Sequence, residues 1–501
     1  MSTIPTEVFK PIRVVHSPRP GTSEVTLVFG VGQRAEPAHL AGITHVAEHL
    51  LIRLAGPDSI FKDGETSASQ VSFSATGSQE AGLDFLSRLV EAIKQIETLT
   101  EEQVALEMDI HRTEDELRFN EAVPSTATIR YGLNGIGMVG AGTPAMSSLT
   151  RDEIVSWVDD WFTADNALIV LTGPWPDEVN QEFALASKPL PHRMRNSGAQ
   201  RTAPVVVASS HSGVVLSVLI PHEVGSALLH AISFQFFDEL RHQRGLFYEM
   251  GVELCRVDGD SCLLDISLGA RGDRVRQTAI AVTEVAQRIA DDGFSELAIE
   301  RVRLSATLNQ LDAESRASAK KEGLIDELLL GYPPCDYDAQ SARCSAITGE
   351  ELRLAWAECL RSAIVLYDED VGIEDISRFE QEMGFPVDKL EPDPLPIDVF
   401  GTRARGKKVW RGHFLPGWSN DRAAIDGQSL LLKSGRVAWD VDLSKVALAV
   451  EIESDVVLSF IDGRRVNIRA REFWRGHSLV ASILDVIRTA GPEKIRRTTV
   501  S

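Results

Sequence analysis

The stretch Gly42-Ile43-Thr44-His45-Val46-Ala47-Glu48-His49-Leu50-Leu51-Ile52 decides how the rest of the chain is interpreted. Its apolar residues recur at helical spacing and predict a helix. Residues four apart on a helix share a face, so His45 and His49 project to one side with Glu48 beside them. Two neutral imidazoles can hold one metal ion, and a nearby carboxylate can accept a proton from water. The pattern, a reversed H-E-x-x-H, predicts a hydrolytic zinc site.

The alternative is a chance pair of surface histidines on a polar helix face. Apolar residues flank the pair on the same helix: Ile43, Val46, Leu50 and Leu51. These residues would pack the helix into a core and hold both rings in place. The flanks therefore favour the metal site over the surface pair.

Length and composition indicate a globular protein of several domains. A chain of 501 residues is too long for one ordinary domain. Hydrophobic residues make up 43% and charged residues 25%, a folded balance. The 73 acidic against 51 basic residues give a net charge of −22, and no nucleic acid partner is expected because phosphate binding needs a basic face. A cationic peptide partner fits this charge, although the simpler interpretation is solubility.

The chain shows no sign of membrane insertion or export. It has no apolar run of about 18 residues, so no transmembrane helix and no membrane partner are expected. Its N-terminus has no charged start before an apolar core, and no signal peptide is expected. The five cysteines, an odd number, indicate a reduced cytoplasmic protein. Cys335 and Cys344 are open to pairing or metal binding, but burial as small apolar side chains is favoured.

Residues 1–190 are predicted to form a first α+β unit. Alternating residues over 12–31, around Gly21, predict a hairpin. The remaining predictions are a strand over 71–76, a helix over 81–96, a helix opened by Thr100 with Gln103 as capping-box partner, and a buried strand over 166–173.

A linker over 189–204 leads to a second α+β unit, 205–378. Its predicted elements are a strand over 214–220, a helix over 228–240, a strand over 262–268, a helix over 278–291, a helix capped by Ser295, and a strand over 363–366. These elements follow those of the first unit in comparable order. They suggest an internal repeat of about 180 residues.

A proline-rich linker is predicted at 390–396. After it, residues 397–501 show a different sequence pattern, dominated by short strands. Short strands are predicted over 429–433, 437–440, 447–452, 456–461 and 466–468, with a turn at Asp462-Gly463 and a helix over 473–487. The element order, short strands followed by one C-terminal helix, is similar to that of a pleckstrin-homology domain. The predicted fold class is therefore α+β, with two homologous α/β sandwich units and a small C-terminal β-rich domain closed by a helix.

The string G-x-x-H-x-x-E-H at 42–49 resembles the signature helix of the pitrilysin/insulinase family of zinc metallopeptidases. The resemblance implies that His45 and His49 bind Zn²⁺ and that Glu48 is the catalytic base. It also implies a third ligand within a V-x-x-E segment of a later helix, which assigns Glu107.

The third ligand has competitors on the same helix. Glu114, two turns after Glu107, shares its face and is the rival ligand. A solvated carboxylate is the alternative role for Glu107. His111 is expected at the surface. The family's further glutamate, two turns before the third ligand, is replaced here by Thr100.

The spacer between the two metal-binding segments departs from the family. His49 and Glu107 lie 58 residues apart, fewer than is typical of the family. The missing length is expected between residues 51 and 83, where the family carries the edge strand that accepts the substrate backbone. Residues 67–73 are predicted to take that role in a trimmed form.

The segment 237–248 resembles the family's L-R-x-x-x-G-L-x-Y sequence. The resemblance implies that Arg241 and Tyr248 contact the substrate backbone or the developing oxyanion. The alternative is a helix-terminal arginine beside a packed tyrosine. With only two units, the chain is similar to those of mitochondrial processing peptidase, so a homodimer or a heterodimer with a related subunit is implied.

The resemblance implies a zinc-dependent endopeptidase acting on extended peptides, with maturation of a peptide precursor as one such role. A catalytically silent partner subunit, or a peptide-binding module of a heterodimeric peptidase, is the alternative. A third interpretation makes 397–501 a module for a membrane surface or another protein through its arginines at 464, 465, 469, 471 and 475. A solvated strand edge is the simpler explanation for those charges.

Overall fold

A computed structural model of the chain shows two α/β units followed by a β-rich part, which confirms the predicted fold class. It describes residues 8–57, 60–117, 125–143, 145–176, 179, 181–191, 201, 203–209, 213–334, 336–368, 373, 375–388, 390, 392–412 and 421–498, with the side chains of 112–117, 147 and 498 left out. Most of the linker predicted at 189–204 therefore lies outside the described residues.

The first unit is a five-stranded sheet covered by helices. Its strands are β1 Phe9–Pro11, β2 Arg13–Ser17, β3 Ser23–Phe29, β4 Phe61–Thr66, β5 Val71–Gly77, β6 Ala167–Thr172 and β7 Ala184–Ala186. Its helices are α1 Ile43–Leu54, α2 Gln79–Lys94, α3 Glu101–Leu117, α4 Thr126–Tyr131 and α5 Arg151–Trp161. The sheet order is β2-β6-β3-β5-β4, so β4 is an edge strand, while β1 pairs with β7 separately.

The hairpin predicted over 12–31 is wrong, although both of its strands form. β6 lies between them, parallel to β2 and antiparallel to β3. Every residue of β6 is buried, and such a strand is most stable in the middle of a sheet with a neighbour on each side. The capping box is confirmed, because the Thr100 amide donates to Gln103 Oε1 at 2.9 Å and the Gln103 amide donates to Thr100 Oγ1 at 3.3 Å.

The second unit repeats this topology. Its strands are β8 Val205–Ser209, β9 Val214–Pro221, β10 Glu249–Arg256, β11 Ser261–Gly269, β12 Ile364–Asp368 and β13 Val387–Asp388. Its helices are α6 His222–Phe236, α7 Val275–Asp292, α8 Glu296–Leu311, α9 Ala313–Ile325, α10 Tyr337–Ala346, α11 Gly349–Leu360 and α12 Ile376–Met383. The order β8-β12-β9-β11-β10, with β13 added beside β8, matches the first sheet strand for strand.

Each unit lends a helix to the other. Ile325 of α9 packs on the first sheet against Val28 and Val170. Ile129 of α4 packs on the second sheet, against Val207 and others. One face of each sheet is therefore covered by the opposite unit.

The C-terminal part contains one antiparallel sheet, one mixed sheet in which β22 is parallel to β19, and a closing helix. Its elements are β14 Asp393–Pro394, α13 Ile397–Arg403, β15 Val409–Arg411, β16 Arg422–Asp426, β17 Ser429–Ser434, β18 Val437–Asp442, β19 Val446–Ile452, β20 Asp455–Phe460, β21 Arg465–Ile468, α14 Gly476–Ala490 and β22 Ile495–Thr498. The sheets are ordered β14-β18-β17-β16-β15 and β21-β20-β19-β22. Apolar residues of α14, including Leu479 and Ile483, are fully buried beneath them.

The C-terminal part is fixed to the first unit. The Leu133 amide donates to the Ile461 carbonyl at 3.0 Å, and Arg496 of β22 pairs with Glu153 of α5 at 2.7 Å. None of the helices that the structure describes is long and apolar enough to cross a membrane.

Candidate metal centre

Helix α1 carries the predicted His45, Glu48 and His49 and is anchored through its apolar face. Ile43, Leu50 and their apolar neighbours are buried in the core of the first unit, as the sequence predicts. Gly42 precedes the helix with φ +96°, a left-handed conformation that favours glycine. The direction in which α1 leaves its preceding loop is therefore set by a residue suited to that turn.

A buried carboxylate holds the start of α1. Glu36 accepts hydrogen bonds from the Gly42 amide at 2.7 Å and the Thr44 amide at 2.9 Å. Burial raises the pKa of Glu36, and these bonds oppose the rise only in part. The two amides would otherwise be unpaired donors at a helix N-terminus, so Glu36 fixes the first turn.

Three imidazoles meet beside this helix. One nitrogen each of His45, His49 and His111 lie within 4.8 Å of one another, close enough to hold one metal ion after a small closure. Ring centroids of His45 and His49 lie 4.3 Å and 4.0 Å from that of His111. His111 is 1% exposed, so the expectation that it lies at the surface is wrong. It shares one face of α3 with Glu107, one turn earlier, and that face is turned to α1.

Glu107, the predicted third ligand, is also buried against α1. Its Oε1 lies 3.0 Å from His49 Nδ1, and its Oε2 accepts a hydrogen bond from Arg53 Nε at 2.6 Å. Burial by itself raises the pKa of Glu107, but the bonds from His49 and Arg53 and their charge outweigh it, so the pKa is lowered. Glu107 therefore stands as a carboxylate that braces both side chains. The side chain of Glu114, the rival ligand, lies outside the described residues.

Glu48 is buried at the base of a cleft. It is 3% exposed and accepts a hydrogen bond from Thr66 Oγ1 at 2.7 Å, which holds the carboxylate in one orientation. Its other oxygen, Oε1, lies 3.9 Å from His49 Nε2. A Cβ built on Gly64 would sit 2.4 Å from this Oε1, so only glycine leaves room for Glu48 here.

The cleft has a volume of about 710 Å³ and runs between α1 and strand β4. Lys62, Asp63, Gly64, Glu65 and Thr66 line it together with His45, Glu48, His49 and Glu107. The sequence prediction that 67–73 forms the free edge is wrong. Residues 67–70 are the turn after β4, and β5 is paired on both sides, so β4 is the exposed edge.

Arg241 and Tyr248 lie together in the second unit. The Arg241 guanidinium carbon is 4.7 Å from the Phe237 ring centroid and 5.3 Å from that of Tyr248. Tyr248 is 80% exposed, unlike the packed tyrosine of the alternative. Among the described residues that line the cleft at α1, neither Arg241 nor Tyr248 is included.

The other predicted groups are occupied in local structure. Arg464 pairs with Asp462 and Asp393, and Arg465 donates to the Ala141 carbonyl. The four cysteines that the structure describes are free thiols, whereas Cys335 lies outside the described residues.

Glu36, Arg53 and the burial of His111 were not predicted from the sequence. Arg53 lies four residues after His49, on its face of the same helix, and that spacing was a usable signal. Which residues of α3 face α1, by contrast, depends on how that helix is rotated against its neighbour.

Comparison with known proteins places the fold. Residues 212–305 match the family model of the peptidase M16 inactive domain. The chain is similar to a protease from Helicobacter pylori at 14% identity and TM-score 0.59, covering 72% of this chain and 99% of that one. It is also similar to a peptidase M16 inactive domain from Pseudomonas fluorescens at 12% identity and TM-score 0.54, covering 71% and 94%.

A third similar structure is longer than this chain. The periplasmic protease PqqL from Escherichia coli, at 12% identity and TM-score 0.55, is matched over 87% of this chain and 56% of its own. No curated protein sequence matches the chain. The fold is thus that of M16-like proteases, and the residues matched by the family model lie in the second unit, apart from His45, Glu48 and His49.

Proposed function

We propose that the chain is a zinc-dependent endopeptidase that hydrolyses extended peptides. The observation that carries this proposal is the convergence of His45, His49 and Glu48 in one cleft, bordered by the exposed edge strand β4. The M16-like fold supports a relation to proteases.

The residues present fit a zinc ion. Zinc favours imidazole and carboxylate ligands in a tetrahedral arrangement, and two histidines of α1 are joined on α3 by His111 and Glu107. When bound, zinc would polarise the scissile carbonyl and acidify a water molecule. His49 Nδ1 faces Glu107, which favours the tautomer that leaves the Nε2 lone pair available as a ligand.

Glu48 is the group that would move the proton. It projects into the same cleft as the imidazoles, and Thr66 holds one of its oxygens. A general base must lie within reach of the proton it accepts, and the carboxylate next to His49 Nε2 meets that requirement. Glu48 would take a proton from the attacking water and deliver it to the leaving amine.

Strand β4 would bind the substrate as an added strand. Its partner β5 covers one side, and the other side is free for backbone hydrogen bonds to an extended peptide. Asp63 and Glu65 on this strand line the cleft.

A dimer would complete the site. Arg241 and Tyr248 are the donors that the family resemblance assigns to the substrate, and they do not line the cleft of their own chain among the described residues. An identical or related partner subunit would supply this pair to the cleft, so that each site combines two chains.

A catalytically silent partner subunit is the second candidate. It is favoured by the match of residues 212–305 to an inactive domain. In that case the cleft would bind peptide and metal without turnover, and hydrolysis would depend on another chain.

Glu48→Gln tests the proposal. The variant should lose roughly 10²- to 10⁴-fold in peptide hydrolysis, the usual contribution of a general base, while zinc content by mass spectrometry stays near that of the parent chain. Glu300→Gln, an exposed position on α8, is the matched control. Hydrolysis of a peptide library at the parent rate by Glu48→Gln would refute the mechanism. Zinc binding without cleavage by the parent chain, alone or with a related subunit, would favour the silent subunit.

A further inference from the structure

We propose that His111 supplies the third protein ligand of this site, and that Glu107 is a positioning residue for His49. The inference rests on the proposed function, because it concerns how the same metal would be held. It replaces the carboxylate assigned by the family resemblance with a third imidazole.

The three imidazole rings lie close enough together to share one metal ion. Their potential ligand nitrogens lie within 4.8 Å of one another, whereas ligands of a closed tetrahedral zinc shell lie roughly 3.4 Å apart. The His111 ring contacts both other rings, with centroids at 4.3 Å from His45 and 4.0 Å from His49. Small side-chain rotations would bring all three nitrogens into one coordination shell.

Both carboxylate oxygens of Glu107 already contact other side chains. One of its oxygens lies 3.0 Å from His49 Nδ1 and the other accepts from Arg53 at 2.6 Å. Binding the metal would cost Glu107 at least one of these charge-assisted bonds at a buried position. An outer carboxylate on the far nitrogen of a metal-binding histidine is, in contrast, a common arrangement.

The orientation of His49 also favours an imidazole as the third ligand. Its Nδ1 faces Glu107, while its Nε2 lies 3.9 Å from Glu48 Oε1, so the ring stands between two carboxylates. The nitrogen that faces the catalytic carboxylate is the one available to the metal. Glu107 lies behind this ring, and His111, one turn further along α3, is grouped with His45 and His49 as a third donor.

A packed core histidine is the simpler role for a side chain that is 1% exposed. Core histidines usually pack on apolar groups and satisfy their nitrogens through hydrogen bonds. The His111 ring contacts two other imidazoles. One nitrogen of each ring lies within 4.8 Å of the other two, and a cation among them would stabilise that arrangement.

The test compares three single substitutions on α3 in the full-length chain: His111→Asn, Glu107→Gln and Glu114→Gln. Zinc affinity is measured by chelator competition, and the absorption spectrum of the cobalt-substituted protein reports the ligand set. His111→Asn should weaken zinc on the order of 10³-fold, against the roughly 10- to 100-fold loss typical of an outer partner for Glu107→Gln. Glu114→Gln should bind zinc like the parent.

Two further measurements separate ligation from folding. Thermal unfolding of chelated, metal-free His111→Asn should match that of the metal-free parent if His111 acts through the metal. His111→Cys should restore zinc binding and add a thiolate-to-cobalt absorption band, which a purely structural role would not produce.

Three outcomes overturn the inference. They are parent-like zinc affinity in His111→Asn, a larger loss in Glu107→Gln than in His111→Asn, and loss of zinc in Glu114→Gln alone. Absence of zinc from the parent chain would instead refute the proposed function itself, so the two failures are distinguishable.

Discussion

The two α/β units share one strand order but differ in the helix that precedes the edge strand. This helix joins β3 to β4 in the first unit and β9 to β10 in the second. In the first unit this helix is α1, which presents His45, Glu48 and His49 to a cleft beside edge strand β4. In the second unit it is α6, which runs into a π-helical segment, Phe237–Gln243, before edge strand β10. The same scaffold therefore supports two different arrangements at equivalent places.

The histidines of the second unit show what the difference means. His222 contacts Cys262 Sγ at 3.5 Å, and His230 contacts Ser305 Oγ at 3.0 Å. Burial lowers the pKa of both histidines. Each of these rings contacts a separate neighbour, whereas three rings converge in the first unit. Chemistry here depends on which residues a shared fold brings together, and not on the fold alone.

Among substitutions that test this difference between the units, Gly64→Ala should cause the largest loss of peptide hydrolysis. A Cβ at Gly64 would lie 2.4 Å from Glu48 Oε1 and 2.6 Å from Ile52 Cδ1, so the buried carboxylate must move. We expect peptide hydrolysis to fall about 10²-fold, since small displacements of a catalytic group have effects of that size. The loss is measured as kcat/KM on a peptide substrate.

The comparison position is Gly251, a glycine on the other edge strand, β10. A Cβ there would meet Ser267 Oγ at 2.6 Å, a hydroxyl that can rotate away. Gly251→Ala should therefore leave the rate near that of the parent. Equal losses in both variants would mean that the edge strands, and not Glu48, account for the effect.

Glu36→Ala should have the next largest effect, on the start of α1. The variant leaves the Gly42 and Thr44 amides unpaired in a buried place, which costs about 1–3 kcal/mol in the free energy of unfolding. Glu36→Gln retains a carbonyl acceptor and should lose less. Denaturant unfolding measures both, with exposed Glu223→Ala in the first turn of α6 as the control. A loss of the same size at Glu223 would contradict the capping role.

Glu24→Gln should have the smallest effect, at the contact between the first sheet and α9. Lys321 Nζ donates to Glu24 at 2.7 Å. Burial by itself raises the pKa of Glu24, but bonds and charge from Lys321, with Thr26 and Arg19, outweigh it and lower the pKa below 4.5. A lowered pKa stabilises the fold above about pH 4.5, and this is lost as the pH falls through the folded value. The variant should lose about 1 kcal/mol at pH 7 and show a shallower acid limb.

At the contact between α4 and the second sheet, the pKa shift of the buried carboxyl group has the opposite sign. Thr126 Oγ1 of α4 donates to Asp265 at 2.5 Å, and burial raises the pKa of this aspartate. A raised carboxyl pKa favours the fold at low pH and opposes it as the pH rises, so Asp265→Asn should not weaken the acid limb. The free energy of unfolding of both variants is measured at a series of pH values. If Glu24→Gln and Asp265→Asn lose the same stability on the acid side, the assignment to Glu24 is refuted.

Local sequence patterns predicted the helices and strands themselves better than they predicted which strands pair with each other. The apolar spacing around His45 and His49 was sufficient to predict α1, because helical periodicity is set within a few residues. The hairpin over 12–31 failed because β6, contributed by residues 167–172, enters between its strands. Strand pairing of this kind depends on contacts distant in sequence, which local alternation does not record.

The same limit applies within the candidate site. The helix carrying Glu107 was predicted from its cap and spacing, but its rotation against α1 follows from packing of the whole unit. That rotation buries His111 and turns Glu107 toward His49 and Arg53. Strands β15 and β16 of the C-terminal part were missed, because only three and five residues form them and their alternation is weak.

The exchange of α4 and α9 between the units has a consequence for how the chain can be divided. A cut in the linker near residue 195 would leave each half with a bare sheet face rich in valine, and neither half would have the helix that covers it. Separately produced halves should aggregate alone and recombine when refolded together, and the intact pair of units should melt in one cooperative transition.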